Sequence, residues 1–193
     1  MRAGLILLLA IVFAPIIYVI AAYNRLVKTR NHCDEAWSNI DTELKRRYNL
    51  IPNLVNTVKG YAKHERELLE QVTRHRQICM TDQGSPAQQA DSENLLVRSL
   101  GRLMARVENY PDLKASQNFL ELQQELTNTE DRIQAARRFY NGNIRENNNL
   151  VQAFPSNIVA GMFGFTNREY FEVEEVRVYA TPQVHLSGGE GAA

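Results

Sequence analysis

Hydrophobic positions fall into two regimes along this chain. Residues 3–23, AGLILLLAIVFAPIIYVIAAY, contain no charged side chain and are closed by Arg2 and Arg25. Beyond them, apolar residues recur at steps of three and four, and no segment of 24–154 alternates at period two. That spacing predicts helices throughout. The first seam holds Leu26, Cys33, Trp37, Ile40 and Leu44 and is expected to end near Asn49. A second begins at Pro52, a residue suited to the first helical position, and runs through Val55, Val58, Ala62, Leu69 and Val72 to about Met80. A third opens at Ser85-Pro86, an N-cap followed by proline, and carries Leu96, Leu100, Leu103 and Val107. The fourth starts at Pro111-Asp112 and keeps its seam from Phe119 through Leu126, Ile133, Tyr140 and Ile144 to Phe154. About ten turns make that helix roughly 60 Å long.

Four amphipathic segments with short connections predict an all-α fold: an N-terminal transmembrane helix, then an antiparallel up-and-down four-helix bundle over residues 24–154. One alternative stays open. The seam continues in phase through Leu44, Tyr48, Ile51, Val55 and Val58, which also suits a single kinked helix from the membrane to Met80. A hairpin turning near residue 50 is preferred, because so long a helix would have little partner surface for its seam. That hairpin sets Cys33 level with about residue 67, some 18 Å along the axis from Cys79, too far for a disulfide. Both thiols are expected to act as small core residues. Pro155 should end the fourth helix. The stretch SNIVAGMFGF (156–165) is then free to fold over one end of the bundle or to lie in a membrane interface. Residues 170–179 mix β-formers with acids, and 181–193 read as a disordered tail.

As a helix, the opening run measures roughly 31 Å, which matches a hydrocarbon core of about 30 Å. Pro15 removes one donor within it and should kink it. The competing reading is a cleaved signal peptide, with Val19-Ile20-Ala21 as the small-residue site. The apolar run is long for that, and an uncleaved anchor (residues 1–23) is preferred. Arg25, Lys28 and Arg30 follow the span whereas Arg2 alone precedes it, a bias toward a cytoplasmic bundle; the periplasmic orientation is the alternative. The expected location is the bacterial inner membrane, crossed once.

Lysine plus arginine equals aspartate plus glutamate, 22 each. Such balance argues against a nucleic-acid partner, which would want a clustered basic face, and Lys45-Arg46-Arg47 is too short to supply one. Catalytic signatures are missing. His64-Glu65 continues as HEREL without a second histidine one turn on. His32, His64, His75 and His185 are scattered, and His75 with Cys79 makes at most half a ligand set. Glu43 with Glu65 and Glu108 with Glu130 could face one another, but the Glu-x-x-His pairs of di-iron bundles do not occur. No metal, cofactor or small-molecule substrate is expected. Asn141, Asn143, Asn147, Asn148 and Asn149 crowd one stretch of the fourth helix, as a solvated face or a polar contact.

The strings YNRLVKTRN (23–31), AWSNIDTELKRRYNLIPNLVNTVKGYAKHE (36–65), ENYPDLKASQNFLELQQELTNTEDRIQAARRFYN (108–141) and FPSNIVAGMFGF (154–165) resemble the LemA family of bacterial membrane proteins. The resemblance implies one N-terminal anchor, a soluble antiparallel four-helix bundle, and association with membrane metalloproteases, envelope stress and magnetosome membranes. It implies no catalytic residue. Cys33 and Cys79 stand outside the family pattern. The expected function is a non-enzymatic membrane-anchored scaffold or adaptor of the envelope, acting as a homo-oligomer or on a membrane protein such as a metalloprotease. The alternative is a membrane-remodelling oligomer that puts SNIVAGMFGF against lipid. Aromatic and arginine residues are the usual contact anchors. The candidates are Arg46, Arg47, Tyr61, Arg137, Arg138 and Tyr140 on the bundle, with Phe163 and Phe165 after it.

Overall fold

A computed structural model of the chain describes residues 2–173, with side chains at 11–62 and 64–173. The described residues contain helices and connections and no strand. They are α1 (Arg2–Tyr61), a 3-10 turn (Lys63–Glu65), α2 (Arg66–Thr81), α3 (Pro86–Val107), the single turn α4 (Pro111–Lys114), α5 (Gln117–Gln152) and α6 (Ser156–Phe163). His185, most of the β-former stretch and the 181–193 tail lie outside the described residues.

The hairpin expected near residue 50 is not formed. α1 runs unbroken from the apolar segment through Pro52 to Tyr61, and the second helix starts at Arg66 instead of Pro52. Proline at 52 cannot donate to the carbonyl four residues before it, which belongs to Tyr48. That carbonyl accepts from the Arg76 guanidinium at 2.6 Å. The helix therefore tolerates its proline, and α2 is fixed at that level. The in-phase seam is real: Leu44, Tyr48, Ile51 and Val58 are buried, Val55 is half-buried, and Leu54 joins them in the core. Its partner surface comes mainly from α5.

Ion pairs fix the topology. Arg25 meets Glu146 near one end of α5 and Arg47 meets Glu130 further along, so α1 and α5 are antiparallel. Cys79 lies against Ser92 and Arg106 against Glu65, so α2 and α3 form an antiparallel hairpin. Ser85 caps α3: its hydroxyl accepts from the Gln88 amide, and Gln88 Oε1 accepts from the Ser85 amide at 3.0 Å. The fourth helix is interrupted at Ala115-Ser116, which separates the α4 turn from α5; thirty-six residues make α5 roughly 54 Å long, slightly shorter than expected.

The short α2–α3 hairpin packs on the part of α1 beyond Leu44. Nearer the apolar end, α1 pairs with α5 and with the extended segment 166–173. Phe171, fully buried, packs on Trp37 at a ring distance of 5.4 Å, and Tyr140 packs on the same indole at 5.3 Å. Cys33 and Cys79 are both free and buried. Cys79 packs at the level of Arg47, roughly 21 Å up the helix axis from Cys33. The predicted separation survives although the turn has moved.

Candidate functional site

The bundle interior holds a buried charged cluster within its apolar core. Arg47 Nη1 lies 3.2 Å from Glu93 Oε2 and Arg47 Nη2 lies 2.9 Å from Glu130 Oε2. The Tyr48 hydroxyl donates to the other oxygen of Glu93. Burial and the Glu93 charge push both the Tyr48 phenol and the Cys79 thiol well above their ordinary ranges. Both shifts favour the protonated form. Arg47 is 2% exposed and is corrected from an outer-face contact to a structural residue.

Tyr140 is corrected likewise. It is buried, its hydroxyl donates to the Glu169 carbonyl at 3.0 Å, and burial raises its pKa to about 12. Arg137 is half-buried and donates to the Val173 carbonyl. Arg46, Tyr61 and Arg138 do lie on the surface, and Arg46 pairs with Glu43 at 3.2 Å. Phe139, beside Arg138, is exposed as well, which the sequence reading missed. At the far end, Val55, Ala62 and Leu69 line a groove of about 1010 Å³ rimmed by Lys59, Arg66 and Glu70.

The asparagine-rich stretch is not a bare solvated face. Asn148 Oδ1 accepts from the Arg168 amide at 2.8 Å while its Nδ2 donates to the Arg168 carbonyl at 2.9 Å. Asn141 does the same with Phe171. Asn147 is buried and reaches the Thr166 carbonyl. These amides pair with the main chain of 166–173 as a neighbouring strand would.

The most apolar exposed surface lies where α1, the end of α5 and α6 meet. Val159 and Ala160 of α6 are buried with Leu26, flanked by Val19, Ala22 and Val151. Tyr23 packs on Phe163 at 4.7 Å and on Phe165 at 5.9 Å, and the Arg30 guanidinium sits over the Phe165 ring at 5.4 Å. Gly164, at φ 71°, turns the chain from α6 into Phe165. The other face of this region is open: Phe154 is 80% exposed, Met162 68%, Ile158 55% and Phe163 51%. Of the two roles foreseen for 156–165, folding onto the bundle and lying in a membrane interface, the segment shows the first with Val159 and Ala160. Among the described residues, no group of three or more histidine, cysteine or acidic side chains is placed to hold a metal ion.

The family profile described as LemA matches residues 36–186. The chain belongs to the LemA family. It is 28% identical over 153 residues to Protein LemA of Metamycoplasma hominis, covering 79% of this chain and 70% of that one. It is 27% identical over 186 residues to Magnetosome protein MamQ 2 of Paramagnetospirillum magneticum, covering 83% of this chain and 68% of that protein. The first part of α1 is long and apolar enough to cross a membrane, and its described part is almost wholly unburied. Together with these relatives, that is consistent with a single-pass membrane protein.

Proposed function

We propose that this chain is a non-enzymatic, membrane-anchored scaffold or adaptor of the bacterial envelope that works through self-association or a membrane protein partner, a membrane metalloprotease being one such partner. The observation that carries the reading is the continuity of α1. One helix is both span and bundle backbone, with no linker between them. From Arg25 to Tyr61 it extends roughly 55 Å at 1.5 Å per residue, so the bundle stands off the bilayer as a fixed rod. Anchoring confines every copy to two dimensions, which raises the effective concentration for weak lateral contacts. Arg46, Arg138, Phe139 and Tyr61 are surface groups of the kind that anchor such contacts. The relative named as a magnetosome protein supports work at a membrane, and the excess of basic residues after the span favours the cytoplasmic side of the inner membrane.

Detergent-free extraction of the full chain in its own lipid, followed by mass measurement and imaging of single particles, tests this. More than one copy per particle, or one copy with another membrane protein, is expected. Particles holding a single copy and lipid alone would refute it.

The second reading is a membrane-organising oligomer that uses 156–165 at the lipid surface. It is favoured by the exposure of Phe154, Ile158, Met162 and Phe163 on one side of the turn. Reconstituted full chain should then alter vesicle shape, and Phe163→Asp should abolish that. Unchanged vesicles with the native chain would remove this reading and leave the scaffold standing.

A further inference from the structure

Two uncharged stretches lie side by side. Residues 3–24 carry no charge, and neither do residues 147–167, which run down the end of α5, around Phe154-Pro155 and back through α6. A charged belt begins where both stretches end: Arg25 pairs with Glu146 at 3.3 Å, and about 13 Å further along α1, Arg168 pairs with Asp34 at 2.5 Å. Below that belt, α5 continues for six residues, about 9 Å, before it turns. The turn reaches the level of Ile11 and Pro15, where it forms a groove of about 460 Å³ with α1, lined also by Tyr18, Val19, Pro155 and Ile158. Tyr18 carries the only polar side-chain atom among these. Pro15 lies ten residues before Arg25, about 15 Å along the axis, which is half the thickness of a hydrocarbon core.

We infer that residues 150–165 form a re-entrant turn buried in one leaflet beside α1, and that the groove between them is a binding site for a phospholipid acyl chain. This rests on the reading of residues 3–23 as a membrane span. Irregular backbone at that depth must satisfy its own polar groups. The turn meets much of that demand at its tip. The Ala153 amide donates to Asn149 O at 2.8 Å, Asn157 to Ala153 O at 2.8 Å and Ile158 to Pro155 O at 3.3 Å. Pro155 has no amide to satisfy, the Ser156 hydroxyl donates to Ala153 O, and the Phe165 amide returns to Ala160 O at 2.9 Å. The aromatic pair Tyr23–Phe163 and the cation Arg30 over Phe165 sit at the belt, where amphipathic rings and basic groups collect at a lipid surface. An acyl chain suits the groove because its walls offer apolar contact and almost nothing to hydrogen-bond. The turn thereby gives the bundle a second hold on the bilayer beside the span.

The test uses tryptophan fluorescence of the full chain in vesicles of phosphatidylcholine brominated along its acyl chains. Trp37, the single native tryptophan, lies about 18 Å beyond Arg25 and serves as the unquenched reference. Phe154→Trp, Ile158→Trp and Ile17→Trp each replace an exposed side chain, so none disturbs the core. All three should add blue-shifted emission that is mostly lost in brominated lipid, while the Trp37 signal is retained. If Ile17→Trp is quenched and Phe154→Trp and Ile158→Trp are not, the span stands and the re-entrant turn is overturned; a second copy covering the turn would give that same result. If Ile17→Trp also escapes quenching, the span fails and the inference with it.

Discussion

The side-chain amide of Asn141 and the main chain of Phe171 exchange two hydrogen bonds, each 3.0 Å long. Through them a helix surface offers the donor and acceptor that a neighbouring strand would offer, and the returning chain is held so that the Phe171 ring drops into the core against Trp37. Asn141→Ala leaves both main-chain groups half-buried without their partner. The expected loss is about 1–3 kcal/mol, with faster amide exchange confined to 169–173. A urea midpoint together with exchange mass spectrometry checks both.

Arg47 bridges Glu93 and Glu130. Arg47→Met strands two carboxylates in the interior and should lower stability by about 3–5 kcal/mol. Replacing all three with apolar residues of similar volume should recover most of that loss. Thermal and urea unfolding of the single and triple variants measure the difference.

Pro52 and Arg76 depend on each other through the Tyr48 carbonyl. Arg76→Ala leaves that carbonyl without its partner and should cost about 1–3 kcal/mol. With Pro52→Ala the helix supplies its own amide, so the same arginine change should cost less. A double-mutant cycle reads the coupling, and strict additivity would contradict it.

His75 is held below its ordinary pKa of 6.5 by burial, aided by Arg74 and Arg102, while a backbone bond at Leu95 opposes them. Its Nδ1 is buried without a hydrogen-bond partner. A histidine favoured neutral in the fold binds more protons when unfolded, so stability should fall as pH drops through 6.5 and level off below the folded-state value. His75→Gln should flatten that part of the profile, measured as the urea midpoint against pH.

Much of this was legible in the pattern of residues. The helical class, the Ser85-Pro86 start, the buried seams and the separation of the cysteines follow from spacing and local chemistry. The position of the first turn did not. Pro52 looks like a helix start, and only the distant Arg76 makes it tolerable inside one. Arg47 and Tyr140 look like contact residues because sequence does not show that two glutamates and a returning chain wait to receive them. The asparagines were noticed without their partner, since the segment they hold lies some twenty to thirty residues further along. The turn at 150–165 has its own mark in the sequence: residues 147–167 are as free of charge as residues 3–23.

On the proposed function, the chain works while held in a bilayer by an intact first helix. Intact-mass measurement on alkali-washed membranes and on the soluble fraction of the native cell tests it most directly. The account predicts a washed-membrane species that keeps residues 3–23. A species in the soluble fraction lacking those residues, with none left in the membranes, would contradict it.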